Sequence, residues 1–173
     1  MKEGHKDFEF CFKKHGRLKL ISPNDNLAGV YKRKSKSALN MLNSAIEKGE
    51  NEWILDTSYY AKYFIVYALF MKVGIKSEIH NCTIFILRFI FNTLGIVNEN
   101  ICKDLEDSRD LRVDSLYYDK TFNKNKILEK ANSASDFCLE VESIIESVSK
   151  EDILKIRKKF EEIKKDFSKP KYL

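Results

Sequence analysis

An all-α fold, an antiparallel up-and-down bundle of about five to six helices behind a short N-terminal arm or hairpin, is what the sequence predicts. Three observations on the 173-residue chain carry that prediction. Two prolines and six glycines are too few breaks for a sandwich or barrel built from many tight turns. Apolar residues recur at helical spacing over long stretches after Pro23, with Gly or Asn at the ends. Hydrophobic residues make up 43% and charged residues 33%, which suits one domain with its own core and excludes a disordered composition.

The elements follow in chain order. Phe8-Glu-Phe10-Cys-Phe12 alternates apolar and polar, Lys13-Lys-His15-Gly16 reads as a turn, and Leu18-Lys-Leu20 resumes the alternation. Residues 1–21 are therefore a short hairpin or an irregular arm leaning on the helices. The bundle occupies residues 22–168. Asn24, Asp25 or Asn26 caps a first helix carrying Leu27, Val30, Tyr31, Ala38, Leu42, Ala45 and Ile46, which Gly49 ends. Asn51 or Glu52 opens a second, apolar round much of its circumference and hence central, which Gly74 stops. A third runs from about Asn81 to Leu94, closed by Gly95, and a more polar fourth from near Asn98 to roughly Tyr118. Asn123-Lys-Asn125 reads as a loop. A fifth helix carries Ile127, Ala131, Ala134, Cys138, Val141, Ile145 and Val148, and Ser149 caps a last one from Glu151 to about Phe167.

The net charge of +5 is unevenly placed. Residues 1–36 carry +6 and residues 155–173 carry +5, whereas residues 37–154 carry −6. Basic ends on a mildly acidic body attract phosphate weakly and without selectivity. No apolar run approaches the ~18 residues of a membrane helix, and the first residues lack the core of a signal peptide. Cys11, Cys82, Cys102 and Cys138 are far apart with no CxxC pair, so the expectation is reduced thiols in a cytoplasmic protein, with no disulfide framework, metal site or cofactor.

Three groups of residues are candidates for chemistry. The histidines His5, His15 and His80 titrate near neutrality, but none has a ligand or nucleophile at useful spacing, and a structural role for His80 is the plainer reading. Tyr59, Tyr60, Tyr63 and Tyr67 form an aromatic stripe, which is more often core than a base-stacking platform. Arg109 and Arg112, three apart on one helix face, can grip one phosphate with planar donors, while Asp110, Asp114 and Tyr117 share another face.

Taken together, Pro23-Asn-Asp-Asn-Leu27-Ala28, Lys34-Ser-Lys-Ser-Ala38-Leu39, Asp56-Thr-Ser58-Tyr59-Tyr60-Ala61-Lys62-Tyr63, Ala68-Leu69, Gly74-Ile75-Lys76-Ser77 and His80-Asn-Cys82-Thr83-Ile84 resemble, in order and spacing, small prokaryotic and archaeal HEPN-domain proteins. That resemblance spans about Ile21 to Val148. It implies a helical bundle that dimerises, often beside a minimal nucleotidyltransferase partner, and in many members a metal-independent ribonuclease or toxin. The family's signature is an arginine followed after four to six residues by a histidine. Here the matching segment reads Arg112-Val-Asp-Ser-Leu-Tyr117, with tyrosine in the histidine's place and no histidine after residue 80. An unperturbed tyrosine, with a pKa of about 10, is a poor base at neutral pH.

The resemblance and the residues together lead to one expectation. The chain binds RNA or a nucleotide and works with a nucleotidyltransferase in a toxin–antitoxin-like system. Arg109 and Arg112 hold phosphate, Asp114 and Tyr117 orient them or line the groove, and Tyr59 or Tyr60 supports it. The alternative is a metal-independent ribonuclease toxin with Arg112 and Tyr117 as catalytic residues. A non-enzymatic dimerisation module is the third reading.

Overall fold

The computed structural model describes residues 10–12, 17–117 and 123–168, without the side chains of residues 116, 117, 124 and 168. The elements in order are β1 (Leu18–Leu20), α1 (Asp25–Lys48), α2 (Asn51–Val73), β2 (Ile75–Ser77), α3 (His80–Ile86), α4 (Glu99–Tyr117), α5 (Lys124–Ser147) and α6 (Lys150–Ser168). A π-helical segment, Leu87–Asn92, continues α3. The architecture is an all-α bundle, as the spacing predicts. No described helix is long and apolar enough to cross a membrane.

Local chemistry explains the boundaries. The Asn24 side chain accepts the Leu27 amide at 2.8 Å and starts α1, which ends where Gly49 turns left-handed at φ 72°. With so short a turn before α2, the two helices pack as an antiparallel hairpin. Ser149 and Asp152 cap α6 reciprocally: the Asp152 amide donates to Ser149 Oγ at 3.1 Å, and the Ser149 amide to the Asp152 carboxylate at 3.0 Å.

α2 is the axis of the molecule. Tyr59, Ala61, Val66, Ala68, Leu69, Phe70 and Val73 are essentially inaccessible, and the helix touches α1, α4, α5 and α6. Lys62 lies among them, also fully buried. Its ammonium donates to Asp104 (2.6 Å), Ser108 (3.1 Å) and Ser133 (2.9 Å), and Lys130 reaches the other Asp104 oxygen at 2.6 Å. A charge in the core is thus fully partnered and ties α2 to α4 and α5.

Four expectations are corrected. The N-terminal segment is not a hairpin: residues 10–12 are helical, and Leu18–Leu20 pairs antiparallel with Ile75–Ser77. The expected turn at residues 13–16, with His15, and His5 both lie outside the described residues. Leu18–Leu20 finds its partner just past Gly74 because the segment after α2 is extended and buries Ile75 and Ser77. Lys124 and Asn125 are not loop: Asn123 accepts the Asn125 amide at 2.9 Å and starts α5 there. The third helix opens at His80 and loses α geometry at Leu87. Cys11 and Cys82 are not reduced thiols but a disulfide across 71 residues, whereas Cys102 and Cys138 are free and buried. Spacing along the chain hides such a pair, since only the fold brings the arm to α3.

Candidate functional site

α4 carries the two arginines on a face that meets α2 on one side and the start of α3 on the other. Arg112 turns toward α2. Its Nε donates to Asp56, its Nη2 donates to the Tyr60 hydroxyl at 3.2 Å, and its guanidinium lies 4.9 Å over the Tyr60 ring and 5.5 Å over the Tyr59 ring. Asp56, Tyr59 and Tyr60 share a helix face because residues three and four apart do. An ion pair, a hydrogen bond and two ring faces therefore hold one planar cation. Burial disfavours the charged guanidinium, but Asp56 and Tyr60 outweigh it and keep Arg112 firmly protonated.

Arg109 turns toward α3. Its Nη1 donates to the Asn81 side-chain oxygen at 3.0 Å, while Nε and Nη2 both donate to the neighbouring Asp110 carboxylate at 2.9 and 2.7 Å. Asp110 is 60% exposed, whereas Asp56 is only 16% exposed. The two pairs therefore differ: the Asp56–Arg112 pair is fixed, and the Asp110–Arg109 pair is a surface contact worth at most about 1 kcal/mol.

Between the arginines and the core stands His80. Its Nδ1 is 2.6 Å from the Tyr59 hydroxyl, and its ring lies flat on Tyr63 at 4.1 Å with an interplanar angle of 2°. Tyr60 meets it edge-on at 6.2 Å. Burial, followed by the fields of Arg112 and Arg109, lowers the His80 pKa from its ordinary value. Burial likewise raises that of Tyr59, so the phenol keeps its proton. Two open grooves flank the cluster. One of about 410 Å³ between α1 and α2 is lined by Lys34, Met41, Thr57, Tyr60 and Phe64. The other, of about 350 Å³ between α4 and α5, is lined by Asp107, Asp110, Leu111, Asp114 and Lys130.

The residues singled out by sequence are thus distributed as follows. Arg109, Arg112, Tyr59 and Tyr60 form one cluster, with the arginines paired to carboxylates. Asp114 lies along the α4–α5 groove, and the Tyr117 side chain lies outside the described residues. Asp56, His80 and Asn81 belong to the cluster without having been picked out for it. For Asp56 the signal was present, an acid one helical turn before a tyrosine pair on an otherwise apolar helix. His80 stands among the histidine candidates with a structural role as the plainer reading, and nothing local to it shows that its neighbours come from α2 and α4.

Two guanidiniums, an imidazole and aromatic faces lie together here, and the only anionic groups paired with the arginines at hydrogen-bond distance are the Asp56 and Asp110 carboxylates. Guanidinium and imidazole groups of this kind have the donor chemistry to meet an oxyanion. A search of curated proteins finds no match to the chain. A family model, the HEPN domain, matches residues 28–169, from α1 through α6. Covering most of the molecule, including every residue of the cluster, that match shows that the chain belongs to the HEPN-domain family.

Proposed function

We propose that the protein binds the phosphate groups of RNA or of a nucleotide at the Arg109–Arg112 cluster, acting as a dimer alongside a nucleotidyltransferase partner in a toxin–antitoxin-like system. The observation that carries the ligand class is the asymmetry of the two arginines. Arg112 is a fixed, preoriented cation stacked on Tyr60. Arg109 is held by an exposed neighbouring carboxylate that an incoming phosphate can replace at small cost. Tyr60 faces both Arg112 and the adjoining groove, where a base can lie against aromatic and apolar side chains. The partner and the dimer rest on family membership alone. The cytoplasmic reading rests on the proposed RNA or nucleotide ligand alone; cysteine usage does not support it, since Cys11 and Cys82 form a disulfide.

Binding of a short single-stranded RNA across a salt series tests this. Arg112→Gln and Arg109→Gln are expected to weaken binding, each reducing the slope of log affinity on log salt by about 0.7. Because Arg112→Gln strands Asp56, the double variant with Asp56→Asn serves as the folding control. Unchanged affinity and slope in both arginine variants overturns the proposal. Cleavage of the RNA in the presence of a chelator, lost in Tyr117→Phe, replaces it with the ribonuclease reading.

A further inference from the structure

The site as it stands holds little net charge for an anion. Arg112 is matched by Asp56 and Arg109 by Asp110, and the nearby Arg88 is matched by Glu99 and Glu106. An anion entering here gains donors but almost no unbalanced positive charge. The group able to change that is His80. It is faced by Tyr59, Tyr60 and Tyr63 from α2 and by Arg109 and Arg112 from α4. Beside it on α3 are Asn81, bonded to Arg109, and Cys82, which as a disulfide does not titrate.

The tautomer of the free protein follows from the partners. Among the described residues the buried Tyr59 hydroxyl has one hydrogen-bond partner, His80 Nδ1. The phenol therefore donates to Nδ1, and the neutral ring carries its hydrogen on Nε2, which has no hydrogen-bond partner among the described residues. A second proton must go onto Nδ1 and reverse the Tyr59 bond. Two guanidiniums and burial oppose that step until a negative charge arrives to offset them.

We propose that His80 is the third anion-binding group of the site and enters it protonated, so that each bound phosphate brings one proton onto the imidazole. This rests on the phosphate-binding reading above and adds a proton linkage to it. By reciprocity, a ligand that raises the pKa of His80 binds more tightly as pH falls, by up to about tenfold per pH unit for one linked proton.

The test uses the full chain and a short oligouridine, whose phosphodiesters keep their charge between pH 5.5 and 8, so the probe does not titrate. The wild-type protein is expected to bind several-fold more tightly at pH 5.5 than at pH 8. Calorimetry at pH 7 in buffers of different ionisation enthalpy is expected to show uptake of up to one proton. His80→Gln should bind with a flat pH profile and no uptake at the site, which also separates His80 from His5 and His15. A flat wild-type profile, or proton uptake that persists in His80→Gln, overturns the proposal. If Arg112→Gln abolishes binding while either result holds, the phosphate site stands and the proton linkage falls. If Arg112→Gln binds as wild type does, the site itself falls.

Discussion

Lys62 has no exposed surface, yet its ammonium meets Asp104 and two serine hydroxyls, while Lys130 occupies the second Asp104 oxygen. Burial alone would raise the Asp104 pKa, but Lys62 and Lys130 outweigh it and hold the carboxyl below its ordinary range. A carboxylate depressed in the folded state contributes stability above its unfolded pKa of about 3.9, and that contribution is lost as pH falls below it. The two ways of breaking the pair are unequal. Asp104→Asn leaves the buried Lys62 ammonium without an anion and Lys130 with only Asp107 at 3.6 Å, and is expected to cost about 3–5 kcal/mol in urea unfolding. Lys62→Met removes the buried charge, fills its volume and leaves Asp104 paired with Lys130, so it should cost well under half as much. Equal losses would show that the network acts through packing instead of charge. The sequence half-disclosed this. A lysine between Ala61 and Tyr63 on a nearly all-apolar helix demands a buried partner, but nothing in spacing chooses Asp104 from the acids between residues 99 and 114. His80 poses the same problem more severely, since its partners Tyr59 and Arg112 come from two other helices.

At the scale of elements, helix ends were legible and strand partners were not. Caps act locally, through one side chain and the next turn, so Asn24, Gly49, Gly74 and Ser149 could be placed from sequence. The pairing of Leu18–Leu20 with Ile75–Ser77 joins segments more than fifty residues apart, which no local pattern specifies. Gly74 is where the two kinds of information meet. It takes φ 78° to end α2, as its position predicts. It also lies under the first strand: a Cβ there would sit 2.4 Å from the Ile21 carbonyl oxygen and 2.8 Å from the Pro23 nitrogen. Arg157 of α6 reaches into the same corner, its Nη1 donating to the carbonyls of Ile21 (2.7 Å), Val73 (3.2 Å) and Gly74 (3.0 Å). Gly49 has a similar φ of 72° but open space around it. Gly49→Ala should therefore lose about 1 kcal/mol, the left-handed strain alone. Gly74→Ala should lose about 2–4 kcal/mol, because strain is joined by collision with backbone that cannot retreat. Thermal unfolding of the two variants side by side measures the difference.

Over the whole molecule, the described part of the arm is anchored to the last helix and to α3. Phe12 packs edge-on against Phe160 at 5.5 Å and lies near-parallel to Phe167 at 6.3 Å, both on α6, while Cys11 beside it is bonded to Cys82 of α3. Cys11 and Cys82 are themselves buried, at 2% and 0% exposure, so the covalent link lies within this anchoring and should carry a large part of it. Closing a loop of 71 residues removes unfolded-state entropy equivalent to about 4 kcal/mol, and disulfides typically deliver about 2–4. Cys11→Ser should therefore lower the free energy of unfolding in urea by about 2–4 kcal/mol while leaving the helical circular dichroism intact, because the i→i−4 backbone bonds of α1 to α6 are internal to each helix. Wild-type protein treated with dithiothreitol should unfold at the same urea concentration as the variant. A reductant that leaves the wild-type transition unmoved, with the bond confirmed absent by mass, would mean that packing of Phe12 on α6 holds the arm by itself.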